Sequence, residues 1–274
     1  MPSSPMPMMD SQRVAVQLAA SDMRVLILGG TTEASALARL VAGDPRFEAT
    51  LSLAGRTTAP RPQPVATRVG GFGGAGGLAA YIEERAIEAV IDATHPYADQ
   101  MSANAVAACR QTGVPLASLV RDAWQPGPGD NWRDVPSTEA AADALGPAKR
   151  CVFLTIGRQE LPLFAAAPQH RYVARLIEPP QQATLPPDLV LLQRRGPFDL
   201  EAERRLLVDE KIDVMVSKNS GGEATHPKIV AARQLGLPVI MIARPDKPAG
   251  HVVADPEDAV AWLAHAPSRS RRGV

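Results

Sequence analysis

Four short stretches carry the residue types that could do chemistry. In "LILGGTTEASALARL", residues 26–40, an apolar run meets Gly29 and Gly30, then Thr31, Thr32, Glu33 and Ala34, and a helical pattern begins. Two glycines allow a tight turn and close backbone approach. The threonine hydroxyls sit beside the open N–H groups of a helix start, where phosphate binds. The pattern is not the usual G-x-G-x-x-G, and glycines at a strand-to-helix turn can serve structure alone. Its place at the first turn of the chain favours nucleotide binding.

The second strand names the nucleotide. A site for NAD carries Asp or Glu at that strand's end, to bond the ribose 2′-hydroxyl. Here the strand ends "LSLAGRTT", with Gly55, Arg56 and Thr57 and no carboxylate. An arginine takes a phosphate through two parallel charge-assisted bonds, so the expected cofactor is NADPH, its 2′-phosphate read by Arg56. A third strand ends "VGGFGG", where Gly71, Phe72 and Gly73 would let backbone lie along a flat ligand. A fourth ends "DATHPYADQ". Asp92, His95 and Asp99 resemble metal ligands, but no cysteine or second histidine is near, and no metal is expected. A histidine at this place donates a proton or positions a ring.

Further along, cations recur at the ends of predicted strands: Arg158 in "TIGRQEL", Arg175 in "VARLIEPP", Arg194 and Arg195 in "QRRGPF", and Lys218, Asn219, Ser220 and Gly221 in "SKNSGG". Lys228 follows at a helix start. One arginine alone is ordinarily a solvated charge. As a group in a chain of zero net charge, with 29 basic and 29 acidic residues, they point to an anionic ligand.

The elements that must position these residues alternate. Strand-like runs such as "RVLILGG" and "EAVIDATHP" interleave with helical ones such as "TEASALARLVAG", where Ala34, Leu37, Ala38 and Val41 share a face. Such alternation means parallel sheets covered on both faces. "RQTGVPLASLVR" (110–121) parallels "RQLGLPVIMIAR" (233–244), each reading helix end, glycine, proline, strand, arginine. Two similar α/β domains facing across a central cleft follow, with Arg121 and Arg244 on its rim, since ligands bind outside the carboxyl ends of strands. The boundaries expected are a disordered tail at 1–22, a first domain at 23–121, a Pro/Gly-rich linker at 122–136, a second domain at 137–265 and a disordered end at 266–274.

Composition excludes other classes. No run of 18 apolar residues offers a membrane span, the neutral balance gives no nucleic-acid surface, and the first 22 residues lack the pattern of a secretion signal. A cytoplasmic monomer is expected. Cys109 and Cys151 read as reduced, buried thiols. A short-chain dehydrogenase would need Tyr-x-x-x-Lys, but Tyr81, Tyr97 and Tyr172 are followed four places on by Arg85, Met101 and Leu176. A sugar-nucleotide transferase and a non-catalytic nucleotide sensor stay open as rivals on the residues alone.

Taken together, "LILGGTTEA", "LAGR", "GGFGG", "IDATHPYA", "TIGRQEL", "RRGPF", "SKNSGGEAT" and "LGLPVIMIARP" resemble the precorrin-6A reductases of cobalamin biosynthesis, over roughly residues 24–245. The resemblance implies two Rossmann-like domains with mainly parallel sheets, and NADPH-dependent reduction of one ring double bond of precorrin-6A, a tetrapyrrole bearing many carboxylates, to precorrin-6B. It implies that Gly29 to Ala34 and Arg56 hold NADPH. Gly71 to Gly73 and Thr94, His95, Pro96 and Tyr97 would flank the nicotinamide. Arg121, Arg158, Arg194, Arg195, Lys218, Asn219 and Ser220 would face the macrocycle. His95, Tyr97 and Lys218 are the proton-donor candidates, with water as the other source. A branch of the family that reduces cobalt-precorrin-6A, often with NADH, is the alternative.

Overall fold

The computed structural model describes residues 23–55, 60–180, 184–248 and 250–266. Arg56 and Thr57 lie outside the described residues, as do the tail at 1–22 and nearly all of the other.

The first half is built from β1 (Met23–Leu28), α1 (Thr32–Ala42), β2 (Phe47–Leu53), β3 (Ala66–Val69), α2 (Gly74–Glu84), β4 (Ala89–Asp92), α3 (Asp99–Thr112) and β5 (Leu116–Leu119). The second half comprises β6 (Trp132–Val135), α4 (Thr138–Ala144), β7 (Cys151–Thr155), β8 (Arg171–Leu176), β9 (Leu189–Gln193), α5 (Leu200–Asp209), β10 (Val214–Lys218), α6 (Pro227–Gln234) and β11 (Val239–Ile242). β12 (His251–Val253) and α7 (Pro256–His265) complete the described chain. Central strands β1, β4, β10 and β11 are apolar nearly throughout because helices cover both faces of each sheet.

Among the described residues all strand pairings are parallel, in two six-stranded sheets ordered β12-β5-β4-β1-β2-β3 and β6-β11-β10-β7-β8-β9. Each reads as a doubly wound 3-2-1-4-5-6 sheet started from β1 or β7. The sixth position is exchanged. β6 follows the first five strands in sequence but pairs with β11, Trp132 to Val135 against Val239 to Ile242. β12 follows the second five but pairs with β5, His251 to Val253 against Ala117 to Leu119. α7 returns with it and packs Ala259 and Leu263 into the core of the first sheet, beside α1.

This exchange corrects two expected boundaries. Residues 122–136 are not only a linker, since they supply the edge strand of the second sheet. The second unit does not run to 265, because residues 251–265 belong to the first. The reason is a matching repeat: Val135, Ser137, Ala141 and Leu145 correspond to Val253, Asp255, Ala259 and Leu263. Ser137 and Asp255 each cap the helix that follows. Ala141, Ala259, Leu145 and Leu263 are all fully buried.

Candidate functional site

The carboxyl ends of the two sheets meet at one seam. Arg121, just beyond β5, donates from Nε to the Ser220 carbonyl at 2.6 Å and from Nη1 to the Glu33 carboxylate. Arg244, at the corresponding place beyond β11, donates to the carbonyls of Asn219 (2.7 Å), Arg121 (2.7 Å) and Asp122 (2.8 Å). The two repeat arginines therefore stitch one half to the other. Asn219 is also committed: Oδ1 accepts the Trp124 N–H at 2.8 Å, and Nδ2 donates to the Trp124 carbonyl at 3.0 Å. Gly221 has φ +71, and a Cβ there would lie 1.8 Å from the Asp122 carbonyl oxygen. Arg121, Asn219, Ser220 and Gly221, expected to face a substrate, are instead partly or wholly spent on the seam. The sequence places them at a rim but does not show that the opposite rim is their partner.

On the first sheet, Gly29 to Ala34 gather at the amino end of α1. Gly29 donates its N–H to the Ser52 carbonyl at 2.9 Å, which holds the turn against β2. Gly30 takes φ +121, a conformation that favours glycine. Thr31 caps the helix: its Oγ1 accepts the Ala34 N–H at 3.1 Å and donates to the Ala93 carbonyl at 2.9 Å. Thr32 is exposed and Glu33 carries its carboxylate toward Arg121. The helix start leaves the N–H groups of Thr32 and Glu33 for an anion, which fits a dinucleotide's pyrophosphate. Gly55 closes the described part of the β2 end, with φ +72.

Strand order separates two groups that the resemblance places together. Gly71, Phe72 and Gly73 follow β3, the edge strand on the β2 side of β1. Thr94, His95 and Pro96 follow β4, on the other side of β1. The two groups therefore lie on opposite sides of β1.

The β4 end is a tightly bonded turn. Buried Asp92 accepts from the Thr94 N–H (3.1 Å) and hydroxyl (2.6 Å), the Ser102 hydroxyl and Lys247 Nζ (3.3 Å). Lys247 reaches there from the segment between β11 and β12, where no sequence motif marks it. His95 Nδ1 accepts the Tyr97 N–H at 3.4 Å. Burial first, then the cations Arg121, Lys218, Lys228 and Arg244, push the His95 imidazole down to about 3. The ring is therefore neutral, with its proton on Nε2. The Tyr97 hydroxyl donates to the Ile242 carbonyl and accepts the Asn219 N–H at 2.8 Å, so both of its roles are taken. Burial raises it to about 12. Of the proton-donor candidates, Tyr97 thus serves as a brace between the halves.

On the second sheet, Lys218 at the end of β10 pairs with Glu160 at 2.6 Å and lies 4.7 Å from the Tyr97 ring centroid. Glu160 Oε2 also accepts the Gly157 N–H at 3.1 Å. Arg158 pairs with Glu178 at 3.2 Å. Arg194 and Arg195 are exposed beyond β9. Arg175 is not available to a ligand: it is buried, pairs with Glu203, and stacks on Phe198 at 3.6 Å. Lys228 is buried at the start of α6, donates to the Thr155 hydroxyl at 2.8 Å, and is driven down to about 7, chiefly by burial. Among the described residues, no group of three or more His, Cys, Asp or Glu is placed to hold a metal ion. Nor is any helix among them long and apolar enough to cross a membrane.

Two doubly wound sheets joined at their carboxyl ends, with a helix start on one side and a rim of cations on the other, define a two-sheet, Rossmann-like α/β protein. The chain belongs to the family described as "Precorrin-6x reductase CbiJ/CobK", whose sequence pattern matches residues 24–264. It is 52% identical over 241 residues to the precorrin-6A reductase of Rhodobacter capsulatus, covering 88% of this chain and 96% of that one. A solved structure, "CobK precorrin-6A reductase", superposes with a TM-score of 0.85 at 51% identity, covering 90% of this chain and 99% of that one. A cobalt-precorrin-6A reductase of Priestia megaterium is 34% identical, covering 68% of this chain and 76% of that one.

Proposed function

We propose that this reductase uses NADPH to reduce one ring double bond of metal-free precorrin-6A, giving precorrin-6B. The observation that carries the reading is the opposition of an anion-ready helix start on one sheet to the cations of the other. The higher identity to a precorrin-6A reductase than to a cobalt-precorrin-6A reductase favours the metal-free ring.

NADPH, when bound, supplies the hydride. The turn from Gly29 to Ala34 would take its pyrophosphate, with the adenosine over the ends of β2 and β3, Arg56 and Thr57 following β2 in sequence, and the nicotinamide toward Thr94, His95 and Pro96. On this placement the Gly71 to Gly73 loop belongs to the adenosine end. Arg158, Arg194, Arg195 and Lys218 hold carboxylates of the macrocycle, which lays the reducible bond against the β4 end. Neutral His95 offers an N–H for orientation. Lys218 offers a second N–H at the rim, and it and water are the remaining sources of the proton. Positioning donor and acceptor in contact supplies much of the rate.

Anaerobic mixing of protein, NADPH and precorrin-6A tests this. Loss of the reduced nicotinamide absorbance with formation of a product heavier by two hydrogens supports it. Cofactor binding without consumption would leave a nucleotide sensor.

A further inference from the structure

At the adenosine end lies an arginine that neither the motifs nor the seam explains. Arg68, near the end of β3, reaches across to β2. Its Nη1 donates to the Ser52 hydroxyl at 2.7 Å and the Gly70 carbonyl at 3.0 Å, and its Nη2 donates to the Gly71 carbonyl at 3.2 Å. The guanidinium lies over the Phe72 ring, 3.8 Å from its centroid, and 5.1 Å from that of Tyr81. Phe72 in turn packs edge-on against Tyr81, with centroids 5.2 Å apart. The plane of the guanidinium is thus fixed before any ligand arrives. All three of its hydrogen-bond partners are neutral oxygens, and no carboxylate among the described residues pairs with its charge. Nε–H and the second N–H of Nη2 have no partner among the described residues. Nε and Nη2 form one edge of the fork, the edge that takes a phosphate with two bonds.

The position also points to a ligand. Ser52 holds Arg68 through its hydroxyl and the dinucleotide turn through its carbonyl, which accepts the Gly29 N–H at 2.9 Å. Arg68 and the pyrophosphate turn are therefore two arms of one residue at the end of β2, the strand end that reads the ribose 2′-position. We infer that Arg68 is a specificity-determining residue that contacts the 2′-phosphate of NADPH, held in place by Ser52, Phe72 and the Gly70–Gly71 carbonyls. This rests on NADPH being the cofactor.

The probes are adenosine 2′,5′-bisphosphate and adenosine 5′-phosphate, which differ only by the group in question. Their affinities are measured calorimetrically for the full chain, Arg68→Ala and Arg68→Lys. The expected result is that the unsubstituted protein prefers the bisphosphate and that Arg68→Ala loses at least about tenfold of that preference, as expected for one charge-assisted bond. Its affinity for the 5′-phosphate should be unchanged. Arg68→Lys, which keeps the charge but not the fork, should fall between, and it carries the test if the alanine variant does not fold. An equal loss for both probes would show that Arg68 only braces the glycine loop, and an undiminished preference would show that it reads nothing. Either result overturns the inference and leaves NADPH standing. No preference in the unsubstituted protein would overturn the NADPH reading itself, and the inference with it.

Discussion

The Tyr97 hydroxyl accepts the backbone N–H of Asn219 at 2.8 Å, tying the turn beyond β4 to the turn beyond β10. The same oxygen donates to the Ile242 carbonyl. Tyr97→Phe removes that bridging hydroxyl, while the Asn219 N–H keeps its direct bond to the Ile242 carbonyl at 3.1 Å; the cost is about 0.5–1.5 kcal/mol, read as a lower thermal midpoint. Turnover should fall by less than tenfold. A general acid removed would instead cost about 10²–10⁴ in rate, and a loss on that scale would make Tyr97 the proton donor.

Lys218→Ala should lower kcat/KM for the macrocycle by at least roughly 10–100-fold, the scale of one lost charge-assisted hydrogen bond, and by up to about 10⁴ where Lys218 also delivers the proton. NADPH affinity, measured by fluorescence titration, should not change. Glu160→Gln keeps the ammonium and removes its partner at 2.6 Å. Its effect should be the smaller of the two. Weaker NADPH binding in Lys218→Ala would move Lys218 to the cofactor side.

Arg56→Ala should weaken NADPH at least about tenfold more than NADH, because a phosphate bond to arginine is lost only with the former. Equal loss for both dinucleotides would show that Arg56 does not read the 2′-phosphate.

His95 makes the fold sensitive to acid. Its value in the folded chain is near 3 against 6.5 for the free side chain. Between these, the unfolded chain binds a proton that the folded chain does not, so unfolding gains as pH falls. The contribution is complete above about pH 6.5 and is lost as pH drops toward 3. In urea titrations, His95→Asn should lose part of the stability slope across that window and none above it. Parallel slopes for the two proteins would mean that His95 titrates normally.

Gly221→Ala should destabilise by about 2–4 kcal/mol, from backbone strain at positive φ together with overpacking. The added Cβ falls 1.8 Å from the Asp122 carbonyl oxygen and 2.5 Å from Arg244 Nη2. An unchanged urea midpoint would mean that the seam is not tightly closed there.

Much of the architecture is legible because helix and strand periods alternate cleanly and the two arginine-ended repeats align. The exchange of sixth strands is not. β6 has only Val135 buried and sits among Pro, Gly and Asp, so it reads as loop. β12 is three residues long with two exposed, too short for a period. The caps at Ser137 and Asp255, each followed four and eight places later by a buried residue, were the available signal. At the site, the gathering of cations at strand ends was legible. Their partners were not, because Arg121 and Glu33 are 88 residues apart and Lys247 and Asp92 are 155 apart. Such pairs are set by how distant elements pack in three dimensions, which no local pattern carries. Arg68 was missed because a lone arginine on an edge strand looks like a solvated charge until Phe72 is seen beneath it.

The central claim is that one sheet carries the reduced nicotinamide and the other carries the polycarboxylate ring, in contact at the seam. A crystal structure with NADP⁺ and the reduced tetrapyrrole bound together measures it directly. The account places nicotinamide C4 within about 3–3.5 Å of a ring carbon of the tetrapyrrole, the separation of a reactive pair, with carboxylates on Lys218 and Arg158. Two ligands bound on separate surfaces, with their reacting carbons far apart, would contradict it.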